Sequence, residues 1–287
     1  QGIKNLSNEE AAKINGMDRE YHGKDLFEAI EKGEHPKWTM YIQVMTEEQA
    51  KNHYENPFDI TKIWRHAEFP LIEVGVLTLN RNPDNYFAEV EQAAFTPAHV
   101  VPGIGFSPDR FLQGRLFAYG DAQRYRLGVN HNLIPVNRAK CEVNQYHRDG
   151  AMRVDGNYGA APAYSPNSAG YWTAQPEVAE PPMELSGAMW RYDPKDDPTD
   201  DCFRAGGNLW RVLTEEKKQI LIHNTKEDMA PVTKNIKYRH AVHCLKADSA
   251  YGERMTEALG LCIDKVRELA KLDNDSLNKA TLRSDME

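Results

Sequence analysis

Ser107-Pro108-Asp109-Arg110-Phe111-Leu112-Gln113-Gly114-Arg115-Leu116-Phe117-Ala118-Tyr119-Gly120-Asp121-Ala122-Gln123-Arg124-Tyr125-Arg126 is the stretch on which the reading turns. Ser107 suits a helix N-cap, Pro108 the first helical position, and Asp109 the positive end of the helix dipole. The predicted helix carries Phe111, Arg115 and Tyr119 on one face, and Ala122 and Arg126 extend that stripe if the helix runs on past Gly120. A phenol titrates near about pH 10, so at neutral pH it is a poor anionic ligand. An arginine one helical turn away favours the phenolate by direct charge interaction. The resulting hard, anionic oxygen suits ferric iron. Taken alone, R-x-x-x-Y is also found as a packed tyrosine beside a surface arginine, so the spacing by itself does not name a metal site.

Upstream of this helix the pattern alternates. Ser7 and Glu10 form a capping box that starts a helix through Ala11, Ala12 and Ile14, and a second helix from about Lys24 is expected to bury Leu26, Phe27 and Ile30 before Gly33. Residues 38–45 and 71–79 carry strand periodicity, with a short helix opened by Thr46 and Gln49 between them and another across Tyr86, Phe87 and Val90 after them. Downstream, from about Asn137 to Ala205, turn residues dissolve any period, which predicts an arm that packs on neighbouring domains or subunits. The tail turns helical again. Thr214 caps one segment, and a helix over about residues 251–272 is expected to place Met255, Leu259, Cys262, Val266 and Leu269 on one face.

Thirty-five basic against forty-three acidic residues give a net charge of −8, which disfavours a nucleic-acid partner. No apolar run is long enough to span a bilayer. The acidic run from Asp193 to Asp201 contains Pro194 and Pro198 and reads as a solvated loop. Four widely spaced cysteines without a C-x-x-C pair point away from zinc and disulfides, towards a reducing, cytoplasmic location. The start at Gln1, with no basic-then-apolar leader, predicts a piece cut from a longer sequence.

The longer motifs carry a family. Gln113 to Asp121 followed by Arg124 to Gly128 resembles the proximal signature of haem catalases of the monofunctional, small-subunit type. Asn56-Pro57-Phe58-Asp59-Ile60-Thr61-Lys62-Ile63-Trp64, the Leu79 to Pro83 and Asn85 to Gln92 segments, Phe95 to Pro108, and Tyr146-His147-Arg148-Asp149-Gly150 resemble the same family in the same order. The similarity runs from Gln1 to about Pro166 and fades in the tail.

The resemblance implies an α+β fold: part of an antiparallel β-barrel over 1–136 with the proximal haem helix at about 108–126, a wrapping arm over 137–205, and a C-terminal helical bundle over 206–287. It implies haem b, with Tyr119 as the axial iron ligand and Arg115 bonded to its phenolate. Arg126 matches an arginine that pairs with a haem propionate, a contact suited to a bidentate guanidinium. Ile60, Phe95, Phe111, Ala118 and Ala122 match positions that line the porphyrin, and Gln123 stands near the haem edge where many relatives have histidine. Trp64 and His66 match part of a nicotinamide-dinucleotide site, but Arg65 replaces a proline between them and weighs against NADPH.

The implied activity is decomposition of hydrogen peroxide to water and oxygen by an intact, homotetrameric protein. Peroxide cleavage needs a general base and acid on the face opposite Tyr119. In the family a distal His and Asn serve there, and none of the ten histidines here matches that motif. His240 and His243, beside Cys244, read as solvated or packing residues. The isolated chain is therefore expected to be inactive, and an incomplete barrel would leave sticky strand edges. Two alternatives remain open: a catalase-like peroxidase or hydroperoxide-converting haem protein, and a non-catalytic split or relic chain.

Overall fold

Capping interactions recognisable in the sequence start several of the helices. In the computed structural model, which describes residues 6–141, 150–153, 161–162, 164–170, 175–179 and 201–282, Ser7 and Glu10 form the expected reciprocal box. It opens α1 (Asn8–Met17), and α2 (Tyr21–Glu31) follows. β1 (Lys37–Ile42) leads into α3 (Glu47–Lys51), opened by the Thr46–Gln49 box, and then to β2 (Ile72–Thr78). A single wide π-type turn over Phe87–Glu91 takes the place of the ordinary helix expected there. Then come α4 (Arg110–Arg126), α5 (Arg204–Val212), α6 (Glu215–Met229), α7 (Lys234–Ala247), α8 (Ser249–Ala258), α9 (Ile263–Ala270) and α10 (Asn274–Ala280). Most of the predicted arm, including Tyr146 to Asp149 and residues 193–200 of the acidic run, lies outside the described residues.

The chain divides into two units, one of residues 17–189 with 1–3, the other of residues 190–287 with 4–16. In the first, β1 and β2 pair antiparallel, with a register shift between Met40 and Tyr41 that leaves Val74 without a partner. Both faces of this hairpin are apolar and open: Trp38, Met40, Ile42, Val74, Val76 and Leu77 are all exposed. α2 buries none of its residues, and Phe27 is half exposed, contrary to the expected core face. The small buried centre here is Phe69, packed beside Trp64 and His53. A hairpin with two open apolar faces does not hold itself together in water.

The second unit is built the other way. Tyr238, Ala241 and Val242 of α7 meet Val266 and Leu269 of α9 and Leu277 of α10 in one buried cluster. The single helix expected over 251–272 is instead two, α8 and α9, parted at Gly260, which adopts φ +65°. The break lets Met255 and Val266 both bury completely while Cys262 is exposed. Trp210 stacks on Tyr251 with ring centroids 4.6 Å apart, and Lys218 and Arg254 lie over its ring. Asp248 caps α8 and receives Arg211 at 2.9 Å. α7 and α8 approach so closely that a Cβ on Gly252 would fall 2.3 Å from the Leu245 Cα.

Beside that crossing, Cys244 Sγ lies 3.5 Å from His240 Nε2, and burial pushes the thiol up to about 11. Burial, and then the charge of His243, holds the His240 imidazole below its ordinary value. No helix of the described residues is long and apolar enough to cross a membrane, and the four cysteines form no disulfide.

Three outcomes are expected. Gly252→Ala should destabilise the full chain by roughly 3 kcal/mol or more, because backbone must move. Gly260→Ala, with open space around it but a positive φ, should cost only about 1 kcal/mol in the same denaturant titration. As pH falls below about 6.5 the unfolded chain takes up protons that His240 and His243 resist in the folded unit, so stability should fall. Helical circular dichroism followed between about pH 7 and 5 should show a shallower loss in His240→Gln.

Candidate functional site

α4 organises the site. Asp109, not Ser107, is its N-cap: the Asp109 carboxylate accepts the Leu112 amide at 2.7 Å, so Pro108 lies outside the helix. Ser107 instead supports the cap, its hydroxyl accepting the Asp109 amide and its carbonyl the Gln113 side chain. A carboxylate at this position both satisfies an orphan amide and faces the positive helix end, which a hydroxyl does less well. The helix then passes straight through Gly120 to Arg126.

Arg115 and Tyr119 meet as their spacing suggests. Arg115 Nη2 donates to Tyr119 Oη at 3.3 Å, with its guanidinium carbon 5.0 Å from the centre of the Tyr119 ring and 5.8 Å from that of Phe111. Both Arg115 and Tyr119 are half-buried. Around them the apolar side chains are displayed and not packed: Phe95 is 81% exposed, Phe111 60% and Ile60 59%. Ala118 and Ala122 are exposed too. Beside Ile60, burial pushes the Asp59 carboxyl up. The Thr61 amide and hydroxyl, with the Lys62 and Arg110 charges, outweigh this and hold it below the usual carboxylate range. Arg110, in the first turn of α4, is thus among the charges that Asp59 feels.

Gln123 is the buried residue of this helix. Its Nε2 donates to the Phe95 carbonyl at 3.2 Å, and its Oε1 accepts from Arg126 Nε at 3.1 Å and from Nη2 at 2.6 Å. Arg126 also reaches the carbonyls of Glu91 and Ala93. Asn137, which the sequence did not mark because it follows Pro135 in a stretch without period, donates to the Gln92 and His131 carbonyls and accepts the Ala94 amide. Trp64 sits half-buried with its indole on the Pro57 carbonyl, Arg65 pairs with Glu68, and His66 is exposed. His240 and His243 belong to the other unit, and the described residues contain no group of three or more His, Cys, Asp or Glu able to hold a metal ion.

Against known families, residues 1–171 match the family described as "Catalase", and residues 196–259 match "Catalase-related immune-responsive". The chain belongs to the catalase family. A catalase of Aliivibrio fischeri is 55% identical over 265 residues, covering 92% of this chain and 55% of the relative. One from Staphylococcus aureus is 54% identical over 271 residues, covering 93% and 54%. The chain thus spans about half the length of the curated relatives it matches. Among solved structures, a fungal catalase superposes with a TM-score of 0.77 at 40% identity, covering 90% of this chain and 53% of its own. Catalase A from Saccharomyces cerevisiae gives 0.77 at 39% identity, covering 90% and 54%. The family carries haem in general, and a mixed helix-and-sheet fold with catalase neighbours agrees with the α+β expectation.

The N-cap assignment has a direct consequence. Asp109→Ala should cost roughly 0.5–2 kcal/mol of local helix stability, visible as faster amide exchange at Leu112. Ser107→Ala should cost less.

Proposed function

We propose that this chain supplies the phenolate side of the haem pocket of a catalase that converts hydrogen peroxide to water and oxygen. The observation that carries the reading is the Arg115–Tyr119 hydrogen bond on a helix face bordered by displayed apolar rings. A phenol with a guanidinium on its oxygen is a fitting donor for ferric iron, and exposed flat side chains fit a macrocycle, so the residues present suit haem b. When bound, ferric haem supplies the redox chemistry that peroxide decomposition requires.

The chain's own residues then have separate tasks. Tyr119 would hold the iron of the group through its phenol oxygen, giving up that oxygen's proton. Arg115 stabilises the phenolate by charge and by its N–H donor. Phe95, Phe111 and Ile60 would cover the apolar surface of the bound group, with Ala118 and Ala122 leaving room on the helix. Gln123 and Arg126 stand at the far end of the same helix. Trp64 and His66 remain the positions where a nicotinamide dinucleotide would be met, with Arg65 against it.

We read the open hairpin as part of the catalase-type antiparallel barrel over 1–136, followed by the arm over 137–205 and the helical bundle over 206–287. The two exposed apolar faces of β1 and β2 support this, since further polypeptide would have to cover them. The same observation favours activity only in a larger assembly, a homotetramer of intact subunits, with the distal His and Asn outside this chain. It equally fits one half of a two-chain barrel with no catalysis of its own.

The test is spectroscopic. Ferric haem added to the chain should give a phenolate-to-iron charge-transfer band that Tyr119→Phe abolishes and Arg115→Leu weakens. Identical spectra for wild type and Tyr119→Phe would refute the reading. Oxygen release from peroxide should stay at the level of free haem.

A further inference from the structure

His53 Nε2 is buried without a hydrogen-bond partner among the described residues, although a carboxylate stands beside it. The ring packs on Tyr54, with centroids 4.4 Å apart, and on Phe69 at 5.8 Å. Its Nδ1 lies 2.9 Å from the Glu55 carbonyl oxygen. Its Nε2 faces Glu68 Oε2 at 3.9 Å, with 11% of the His53 side chain and 31% of the Glu68 side chain exposed. The Tyr54 hydroxyl donates to the same Oε2 at a long 3.4 Å, and Arg65 holds the other oxygen, Oε1. The Arg65 guanidinium carbon also lies 5.7 Å from the centre of the Tyr54 ring.

We propose that His53 and Glu68 form a pH-sensitive latch that closes the segment between them when the imidazole is protonated. The proposal concerns that segment alone and does not depend on the haem reading.

Proton accounting carries it. A neutral imidazole has one N–H donor and one bare nitrogen. With the proton on Nδ1, the Glu55 carbonyl is served and the bare Nε2 turns its lone pair towards a carboxylate. With the proton on Nε2, a donor points at Glu68, but Nδ1 then faces the Glu55 carbonyl as a second acceptor and keeps only the Glu55 amide at 3.3 Å. The imidazolium alone gives each ring nitrogen a proton and each proton an oxygen. At 3.9 Å the Glu68 contact stands about 1 Å wider than a charge-assisted hydrogen bond, so a small movement closes it. The charged groups at this ring are Glu68 and, through it, Arg65, while Tyr54 presents its ring and Glu55 its backbone.

The segment is already tied at other points. Gln43 Nε2 donates to the Trp64 carbonyl at 3.2 Å and the Phe69 carbonyl at 2.5 Å, and the Trp64 indole donates to the Pro57 carbonyl at 3.1 Å. Protonation of His53 would join its first residues to the small buried centre at Phe69. The latch therefore holds at low pH and loosens as pH rises, the opposite sign to His240 and His243 in the other unit.

The experiment uses the full chain and follows the Phe69 amide, which donates to the Arg65 carbonyl at 2.9 Å, by hydrogen exchange between about pH 8 and 5.5. Carboxylates stay largely ionised over that interval. Two variants are compared: His53→Phe, which keeps a ring against Tyr54 and Phe69 but takes no proton, and Glu68→Gln, which removes the charge. Rates are divided at each pH, so the intrinsic pH dependence of exchange cancels. Protection in wild type relative to His53→Phe is expected to be about one or less at pH 8 and about tenfold at pH 5.5, since a charge-assisted hydrogen bond is gained. The ring nitrogen-15 signals of His53 should report two protonated nitrogens over the same interval. Glu68→Gln should leave that ring change in place and flatten the protection ratio. A ratio that stays flat in wild type overturns the latch. So does a loss of protection as pH falls, which would show the charged ring being expelled. Persistence of the tenfold rise in Glu68→Gln overturns Glu68 as the partner. Should His53→Phe fail to fold, the ratio of wild type to Glu68→Gln decides by the same criteria.

Discussion

A backbone that has left regular structure must still satisfy its carbonyls and amides. Between Glu91 and Phe95 four carbonyls and one amide are held by three side chains from farther along the chain, Gln123, Arg126 and Asn137. The geometry of the candidate site follows from this. α4 cannot rotate about its axis without releasing the Phe95 carbonyl, and Phe95 cannot withdraw without taking that carbonyl from Nε2 of Gln123, the buried polar residue of the helix. The face bearing Arg115 and Tyr119 is therefore tied to a second segment by hydrogen bonds, with little apolar packing to help.

That arrangement fits the uneven distribution of burial. Residues 201–282 form helices around a closed cluster centred on Val242, Val266 and Leu269, and burial of such side chains contributes on the order of 1.5–3 kcal/mol each. Among the described residues of the first unit Phe69 and Ile134 are buried, while many of the large apolar groups are exposed. Large exposed apolar patches mark surfaces that meet something else. On α4 the flat, aromatic character of the patch suits a macrocycle. On β1 and β2 the two-sided pattern suits more sheet and more polypeptide.

Local signals in the sequence were reliable where the physics was local. The Ser7–Glu10 and Thr46–Gln49 boxes, the two strands and the Arg115–Tyr119 contact each depend on residues within one or two turns, or on a period of two, and each is present. The cap of α4 lies two residues later than expected because the Asp109 carboxylate takes the Leu112 amide, while the Ser107 hydroxyl takes the Asp109 amide just outside the helix. The division of the last helices was misread because Val266 and Met255 continue one helical stripe across Gly260, so periodicity alone could not see that the chain turns there.

By itself, the sequence determined the family and the Arg115–Tyr119 contact, since long ordered motifs and an i, i+4 pair can be read from the chain in one dimension. Tertiary structure alone decided what Arg126 touches, that Asn137 belongs to the site, and which apolar residues stay open. Those facts depend on groups 28 to 45 residues apart meeting in space, and no period or cap encodes such a meeting.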